Sequence, residues 1–128
     1  MPDQQYFAPD TLPPTRGYSQ VVRVGTTVYI AGQVAVATDG NVVGQNDALA
    51  QARQIWRNLE AAVQAAGGSL ANIVKTTTYV TDVEHGAAAR QVRGELFPTN
   101  PPTSTLLVVS GLASPDYMME IEAIAVVD

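Results

Sequence analysis

The sequence predicts a single α+β domain, residues 1–128, in which one β-sheet carries two helices on one face. Three observations predict it. Short runs rich in valine, isoleucine, threonine and tyrosine indicate strands, and two segments with apolar residues at helical spacing indicate helices. These segments follow one another in the order ββ(β)αβαββ. Hydrophobic residues make up 46% of the 128 residues, which is enough to bury one core.

The individual elements are predicted from local signals. The first 15 residues are expected to form an irregular arm, because Pro9, Pro13 and Pro14 exclude a regular helix. Gly25 and Asp39-Gly40 mark turns between the first strands. The predicted boundaries are 1–15 (arm), 19–24 and 27–37 (strands), 42–43 (short strand), 47–66 (helix), 73–81 (strand), 84–97 (helix), 103–110 and 118–127 (strands).

The two helices have recognisable starts and ends. Asn46 or Asp47 suits the N-cap of the first helix, apolar residues then recur at helical spacing, and Gly67-Gly68 ends the helix. The second helix ends at the prolines that follow residue 97. Between the helices, the threonine- and valine-rich residues 73–81 suit a pleated strand better than a helix.

Two helices on one face leave the other face of the sheet uncovered. The residues predicted on that face are largely apolar, which is typical of a surface that contacts another subunit. Only 15% of the residues are charged, a low fraction for a soluble monomer of this size. We therefore expect an oligomer.

Composition and charge exclude several classes of function. A net charge of −5 and a single lysine, Lys75, disfavour binding to nucleic acid. The absence of cysteine excludes disulfides and thiolate chemistry, and the single histidine, His85, excludes a multi-histidine metal site. No signal-peptide pattern is evident, and no apolar run approaches the ~18 residues of a membrane span. The sequence thus predicts a cytoplasmic protein without a metal site or a membrane segment.

Two places within apolar strands are candidates for chemistry. Glu120 and Glu122 lie on the same face of the last strand, roughly 7 Å apart. They form either a charged sheet edge or a site in which Glu120 orients or activates a water. Gly32 interrupts an apolar strand, which indicates either a simple bulge or a close approach of a ligand to the backbone.

Polar residues at three further places have both a functional and a structural interpretation. Arg16 and Tyr18 lie where the arm enters the first strand, a kind of junction that often carries function but also suits an exposed turn. Ser104 and Thr105 follow a proline-rich turn, where they either bind a ligand or cap the strand. Arg90, on the second helix, belongs either to a solvated face or to a binding site.

The order and spacing of several segments resemble the RidA/YjgF family of enamine and imine deaminases, from about Arg16 to Val126. The segments that carry the resemblance are Gly17-Tyr18-Ser19-Gln20, residues 29–34 (YIAGQV), Gln51-Ala52-Arg53, Asn58-Leu59, residues 73–77 (IVKTT), Tyr79-Val80 through Asp82, and residues 120–126. The resemblance implies a chorismate-mutase-like fold and a homotrimer with an inner β-barrel, outer helices and three pockets between subunits. It also implies hydrolysis of reactive enamines or imines, such as 2-aminoacrylate, without a cofactor.

The resemblance assigns roles to three residues and leaves one role empty. Tyr18 falls on the family's pocket tyrosine, Gly32 on a glycine whose backbone lies near the ligand, and Glu120 on the glutamate proposed to handle the water. The family's arginine, which clamps the substrate carboxylate, is replaced here by Ser104, or by a neighbouring threonine, Thr103 or Thr105, if the alignment slips. The family's asparagine on the second helix becomes Arg90, and its pocket serine and cysteine become alanine and leucine.

Two explanations of the missing arginine remain open. Either Arg16 or Arg90 supplies the cation, or Ser104 and Thr105 bind a neutral polar ligand. We therefore predict a Rid-type hydrolase for an imine, an enamine or a related small metabolite, rather than a 2-aminoacrylate deaminase. A metabolite-binding trimer without catalysis and a pathway-specific role on an unstable intermediate are the alternatives. A ribonuclease is disfavoured by the acidic composition.

Overall fold

Residues 3–128, which the computed structural model describes, form six strands and two α-helices. In chain order these are β1 (Gln4–Phe7), β2 (Val21–Val24), β3 (Thr27–Gln33), α1 (Ala48–Ala65), β4 (Ile73–Val80), α2 (Gly86–Leu96), β5 (Thr103–Val108) and β6 (Met119–Val126). Short 3₁₀ helices at Leu70–Asn72 and Val83–His85 precede β4 and α2. The α+β class and the order of elements from β2 onwards are as predicted.

The strands form one mixed sheet in the order β1-β2-β3-β6-β4-β5. The last strand of the chain, β6, lies in the middle of the sheet and pairs antiparallel with both β3 and β4. At the far edge, β5 runs parallel to β4. Glu120 and Glu122 are therefore on a central strand and not at an edge of the sheet.

Burial alternates along β6 because one face of the sheet is covered by the helices. Met119, Ile121 and Ala123 are buried, whereas Glu122 and Val126, on the opposite face, are exposed. The covered face packs against the apolar side of α1, and α2 lies beside α1 in the same layer. The core residues contributed by α1 are Ala52, Ile55, Trp56, Leu59, Ala62 and Val63.

The long helix begins and ends as its sequence predicts. Asp47 is the N-cap, and its carboxylate accepts a hydrogen bond of 3.0 Å from the backbone N–H of Ala50. At the other end Gly67 adopts a φ of 90°, a conformation that favours glycine. These two local signals suffice to predict both ends of α1, because neither depends on contacts with the rest of the chain.

The prediction of an irregular arm over residues 1–15 is wrong in part. Gln4–Phe7 forms the edge strand β1, which pairs antiparallel with β2, while residues 1–2 lie outside the described part of the chain. Most of β1 is exposed, so backbone hydrogen bonds hold it rather than burial. The strand therefore lacks the alternation of apolar and polar residues from which a half-buried strand is predicted.

The strands predicted over 27–37 and 42–43 also differ from those in the structure. The strand predicted over 27–37 ends at Gln33. Val42 and Val43 do not form a strand, because Val42 makes only an isolated bridge with Val36. The segment between the Gln33 end and α1 is consequently a loop.

The second face of the sheet is uncovered within residues 3–128. Tyr29, Leu107 and Val126 are each close to half exposed on it. This matches the apolar uncovered face expected from the sequence. Neither helix in the described residues has the length and hydropathy required to cross a bilayer.

Candidate functional site

A β-bulge interrupts the pairing of β3 with β6. Ile30 pairs with Ala123 and Gln33 pairs with Ile121, so two residues of β3 lie opposite the single residue Glu122. The two residues are Ala31 and Gly32, and the extra one bends the strand locally. The bulge indicated by Gly32 in the sequence is confirmed.

The bulge brings Gly32 and Glu120 into direct contact. A methyl group added at Gly32 would lie 2.1 Å from Glu120 Oε2 and 2.8 Å from its Cδ. Real Cβ atoms essentially never approach a neighbour so closely, and therefore only glycine leaves room for the carboxylate. Two residues predicted separately as candidates are thus parts of one arrangement, in which the carboxylate lies against the backbone of the bulge.

The environment of Glu120 favours its protonated form. Burial, followed by the negative charge of Glu122, raises the pKa of the Glu120 carboxyl above its ordinary value. Within residues 3–128, no side chain or backbone N–H donates a hydrogen bond to this carboxylate. Such a carboxylate binds a proton more readily than a fully solvated one.

The neighbouring carboxylate, Glu122, is held differently. The hydroxyl of Tyr79 donates a hydrogen bond of 2.8 Å to Glu122 Oε1. That bond, then burial and the charge of Glu122, raise the pKa of the Tyr79 hydroxyl. In the register of β4 and β6, Tyr79 lies directly opposite Glu120. The two acidic residues therefore have distinct surroundings, and only Glu122 has a fixed partner.

A shallow hollow of about 320 Å³ lies on the uncovered face beside these residues. Lys75, Thr77, Ser19 and Glu122 contribute polar groups to its lining, and Tyr29 contributes an aromatic ring. Neither Lys75 nor Thr77 was predicted from the sequence as a site residue. The signal was available, because alternate residues of β4 share the face on which Glu122 lies.

Two buried glutamines, Gln20 and Gln33, form hydrogen bonds that hold the bulge in place. The Gln33 amide donates to Gln20 Oε1 (2.8 Å) and to the carbonyl of Ala31 (2.9 Å). The Gln20 amide in turn donates to the carbonyl of Pro13 at 3.3 Å. This network ties the arm to the bulge and thereby to Glu120. This network was not predicted from the sequence, although a glutamine at a core-facing strand position is itself an unusual signal.

Tyr18 and Arg16 lie on the turn before β2, at a distance in the chain from the bulge. Tyr18 is 60% exposed, and the hydroxyl of Thr15 donates to its carbonyl at 2.6 Å. Its side chain lines a second hollow, of about 630 Å³, which is formed largely by the arm and includes Tyr6. In the described part of one chain, no hydrogen bond joins Tyr18 or Arg16 to Glu120.

The remaining candidates are divided between the two sides of the sheet. Thr105 pairs with Thr77 and so lies on the same face as Glu120. Ser104 lies on the helix side, where Arg93 Nη1 donates to its hydroxyl at 2.8 Å. Arg90 is also on the helix side, with its guanidinium next to Gly86.

Of the residues predicted to bind a substrate, only two are thus close to Glu120 within one chain: Gly32 contacts it, and Thr105 lies on the same face of the sheet. Among residues 3–128, no group of acidic or histidine side chains is arranged to hold a metal ion.

A family model described as Endoribonuclease L-PSP matches residues 9–127 of this chain. The chain belongs to the Rid/YjgF family. A RutC family protein of Pyrococcus horikoshii is 34% identical over 119 residues, which cover 93% of this chain and 94% of the relative. The family resemblance inferred from the sequence is therefore confirmed.

Solved structures, among them one of a RidA protein, show the same fold. RidA from the Antarctic bacterium Psychrobacter sp. is similar with a TM-score of 0.89 and 32% identity, over 96% of this chain and 99% of that one. Yeast Mmf1 has a TM-score of 0.92 and 27% identity, over 98% and 100% of the two chains. The predicted chorismate-mutase-like α+β fold is confirmed by these similarities.

Proposed function

We propose that this Rid-family protein hydrolyses the C=N bond of a small reactive imine, or of the enamine in equilibrium with it, and that Glu120 positions the attacking water. One observation carries the proposal: the half-buried Glu120 carboxylate lies against the Gly32 bulge and accepts no hydrogen bond within residues 3–128. A general base acts best when its pKa approaches the working pH, and the surroundings of Glu120 raise its pKa in that direction.

The reaction requires one base that later acts as an acid. The oxygen of water attacks the electrophilic imine carbon while one water proton passes to Glu120. Glu120 returns that proton to nitrogen, which gives a neutral carbinolamine. Glu120 then accepts the hydroxyl proton as the C=O bond forms and delivers it to nitrogen as the C–N bond breaks, so that ammonia leaves. Water is consumed, one ketone or aldehyde and one ammonia are produced, and Glu120 is regenerated. No electron acceptor is needed, so the chemistry is consistent with a protein that uses no cofactor.

We further propose a homotrimer in which the uncovered sheet faces form an inner barrel. The apolar side chains of Tyr29, Leu107 and Val126 on that face support a subunit contact. The pockets would lie between chains, where Tyr18 of one subunit approaches Glu120 of another. Sedimentation velocity is the direct test, and a monomer at micromolar concentration contradicts this part of the proposal.

Arg16 is the better candidate for a cation that binds a substrate carboxylate. Arg90 and Ser104 both lie in or against the helix layer, and the sheet separates them from Glu120 in their own chain. Arg16 is exposed on the turn next to Tyr18. Gly32 and Thr105 complete the proposed binding residues. Gly32 contacts Glu120 directly, and Thr105 lies on the same face of the sheet as Glu120.

The decisive experiment measures ammonia release from freshly generated imines with and without a carboxylate group. Glu120→Gln should lower kcat/KM by about 100-fold or more, since it keeps the shape but removes the base. Glu122→Gln is the matched control on the same strand. It should keep turnover and move the acidic limb of the pH profile to lower pH, because it removes a charge that raises the pKa of Glu120.

The results separate the parts of this proposal. Turnover that is unchanged in Glu120→Gln excludes Glu120 as the base. Activity on carboxylated imines that is lost in Arg16→Ala, with activity on neutral imines retained, supports Arg16 as the carboxylate-binding residue. Equal activity of Arg16→Ala on both classes excludes that role.

A metabolite-binding protein without catalysis is the second candidate. It is favoured by the hollow beside Glu122, where Lys75 offers a cation and Thr77 a hydroxyl to a bound ligand. Saturable binding of a substrate analogue, with no ammonia above the uncatalysed rate, would support it. We do not favour RNA cleavage, in spite of the family model's description, because the net charge is −5 and the chain has one lysine and one histidine.

A further inference from the structure

The backbone of the bulge is held by a side chain of its own strand. Beyond the last pair of β2 and β3, the backbone N–H of Ala31 donates to the carbonyl of Gln20 at 2.9 Å. The carbonyl of Ala31 accepts from the side-chain amide of Gln33, also at 2.9 Å. A bulge disrupts the ladder locally and leaves a residue unpaired, so a side-chain donor at this point replaces a ladder hydrogen bond.

Both donors of the Gln33 amide are in use. One N–H of Nε2 reaches the carbonyl of Ala31, and the other reaches Gln20 Oε1 at 2.8 Å. Gln33 is only 2% exposed, and a buried amide costs free energy unless its donors find acceptors. With both donors engaged, the amide has one orientation, and an apolar side chain of similar length cannot take its place.

Gln20 anchors this amide from the neighbouring segment. Its side chain is buried and donates to the carbonyl of Pro13 at 3.3 Å, while its Oε1 accepts from Gln33. Its backbone carbonyl also accepts from Ala31. Gln20 therefore holds the bulge twice, once directly and once through Gln33.

The bulge in turn sets the place of the Glu120 carboxylate. Gly32 follows Ala31 directly, and a methyl group at Gly32 would lie 2.8 Å from Cδ of Glu120 and 3.0 Å from its Cγ. Gln33 itself pairs with Ile121 and faces the core, whereas Glu120 lies on the other face of the sheet. Gln33 thus acts on Glu120 only through the backbone of Ala31 and Gly32.

We propose that Gln33, anchored by Gln20, is a positioning residue for Glu120: its amide fixes the bulge, and the bulge fixes the carboxylate that receives the water proton. The effect on turnover rests on the proposed hydrolase activity. The effect on the carboxyl group does not, because it can be measured without a substrate.

Replacing Gln33 by methionine tests the proposal directly, since the change keeps the length of the side chain and removes both donors. The carbonyl of Ala31 should then turn towards water, and Gly32 should move away from Glu120. Burial is the main cause of the raised pKa of Glu120, so this pKa should fall towards its ordinary value. The titratable groups that face Glu120, Glu122 on its own strand and Tyr79 opposite it on β4, are unaltered. Carbon-detected NMR titration of the carboxyl measures the result.

The kinetic effect should appear mainly in kcat. Gln33 lines neither of the two hollows near the site, so its loss removes no contact with a substrate there. A displaced base lowers the rate of the chemical step, and we expect kcat for imine hydrolysis to fall by about 10-fold or more in Gln33→Met, with a smaller change in KM.

Thr76→Val is the matched control for a loss of stability alone. Thr76 is 2% exposed, and its hydroxyl donates to the carbonyl of Thr103 at 3.1 Å. It lies on β4, which β6 separates from β3. Valine keeps the branched shape and removes the donor. This variant should unfold at a lower urea concentration than the wild type, but the pKa of Glu120 and kcat should stay unchanged.

Gln20→Met tests the anchor and carries the test if Gln33→Met does not fold. It removes one acceptor of Gln33 but leaves the bond to Ala31, so the pKa of Glu120 should move in the same direction by a smaller amount. The double variant should move it no further than Gln33→Met alone, because Gln20 acts through Gln33.

The outcomes separate this proposal from the proposed function. A pKa of Glu120 that is unchanged in the folded Gln33→Met protein overturns the positioning role, and so does an equal change in Thr76→Val. Shifts that add in the double variant overturn the route through Gln33. A lowered pKa with unchanged kcat supports the effect on the carboxyl group and overturns Glu120 as the base.

Discussion

Replacing Gly32 by alanine tests whether the bulge holds the carboxylate of Glu120 in place. The new methyl group would lie 2.1 Å from Glu120 Oε2 and 3.0 Å from its Cγ. Gly32 is not among the glycines with positive φ, so alanine meets no backbone strain and the effect comes from this collision alone. Because the colliding atoms are the end of a side chain, we expect the carboxylate to move and the backbone to stay.

The displaced carboxylate should become more exposed to water. Burial is the main cause of the raised pKa of Glu120, so the pKa in Gly32→Ala should fall towards the ordinary glutamate value. Overpacking of this kind costs about 1–3 kcal/mol, and a flexible side chain places the cost near the lower end. If Glu120 is the base, a displacement of about 1 Å should reduce turnover by about 100-fold.

Carbon-detected NMR titration of the Glu120 carboxyl measures the pKa, and urea unfolding measures the stability. Gly94→Ala is the matched control, because a methyl group there meets no atom within 4 Å. Gly94 lies inside α2, so this change should stabilise the protein by about 0.5–1 kcal/mol and leave the pKa of Glu120 alone. A Gly32→Ala protein in which Glu120 titrates as in the wild type would refute the contact between the two residues.

Three further predictions concern stability in urea unfolding. Gln51→Leu should cost about 3 kcal/mol or more, because Gln51 accepts from the N–H of Met118 and donates to two carbonyls, all at 3.0 Å; a loss below about 1 kcal/mol contradicts this. Leu59→Ala should cost about 2–5 kcal/mol, since Leu59 is fully buried. Folding raises the pKa of Glu120, so its ionisation destabilises the folded chain once the pH exceeds that pKa. Glu120→Gln should therefore gain stability relative to the wild type near pH 7, and this gain should disappear as the pH falls below the unfolded-state pKa; a gain that persists in acid contradicts the argument.

The fold was largely predictable because its main signals are local. The N-cap at Asp47, the stop at Gly67 and the apolar stripe of α1 act within a few residues of one another. The edge strand β1 was not predictable in this way, since it is mostly exposed and its backbone pairs with that of β2. Nearly every residue type can form backbone hydrogen bonds, so a strand held by them has no characteristic side chains.

The candidate site was predictable in part. Gly32 and Glu120 were both recognisable, because a glycine and a carboxylate are exceptional within apolar strands. Their mutual contact depends on the register of β3 and β6, which pairs Gln33 with Ile121. In the same way, the register in which β5 pairs with β4 places Ser104 on the helix side of the sheet and Thr105 on the uncovered side.

The sequence alone determined the α+β class, the family and the residues that can carry charge or donate hydrogen bonds. The class and the residue chemistry follow from composition and spacing, which act at short range along the chain, and the family follows from the resemblance of the segments named above. Only the tertiary structure decided that Glu120 lies on a central strand against Gly32, and that the buried indole N–H of Trp56 has no acceptor among residues 3–128. Both depend on how elements far apart in the chain dock, and docking is set by the packing of whole faces.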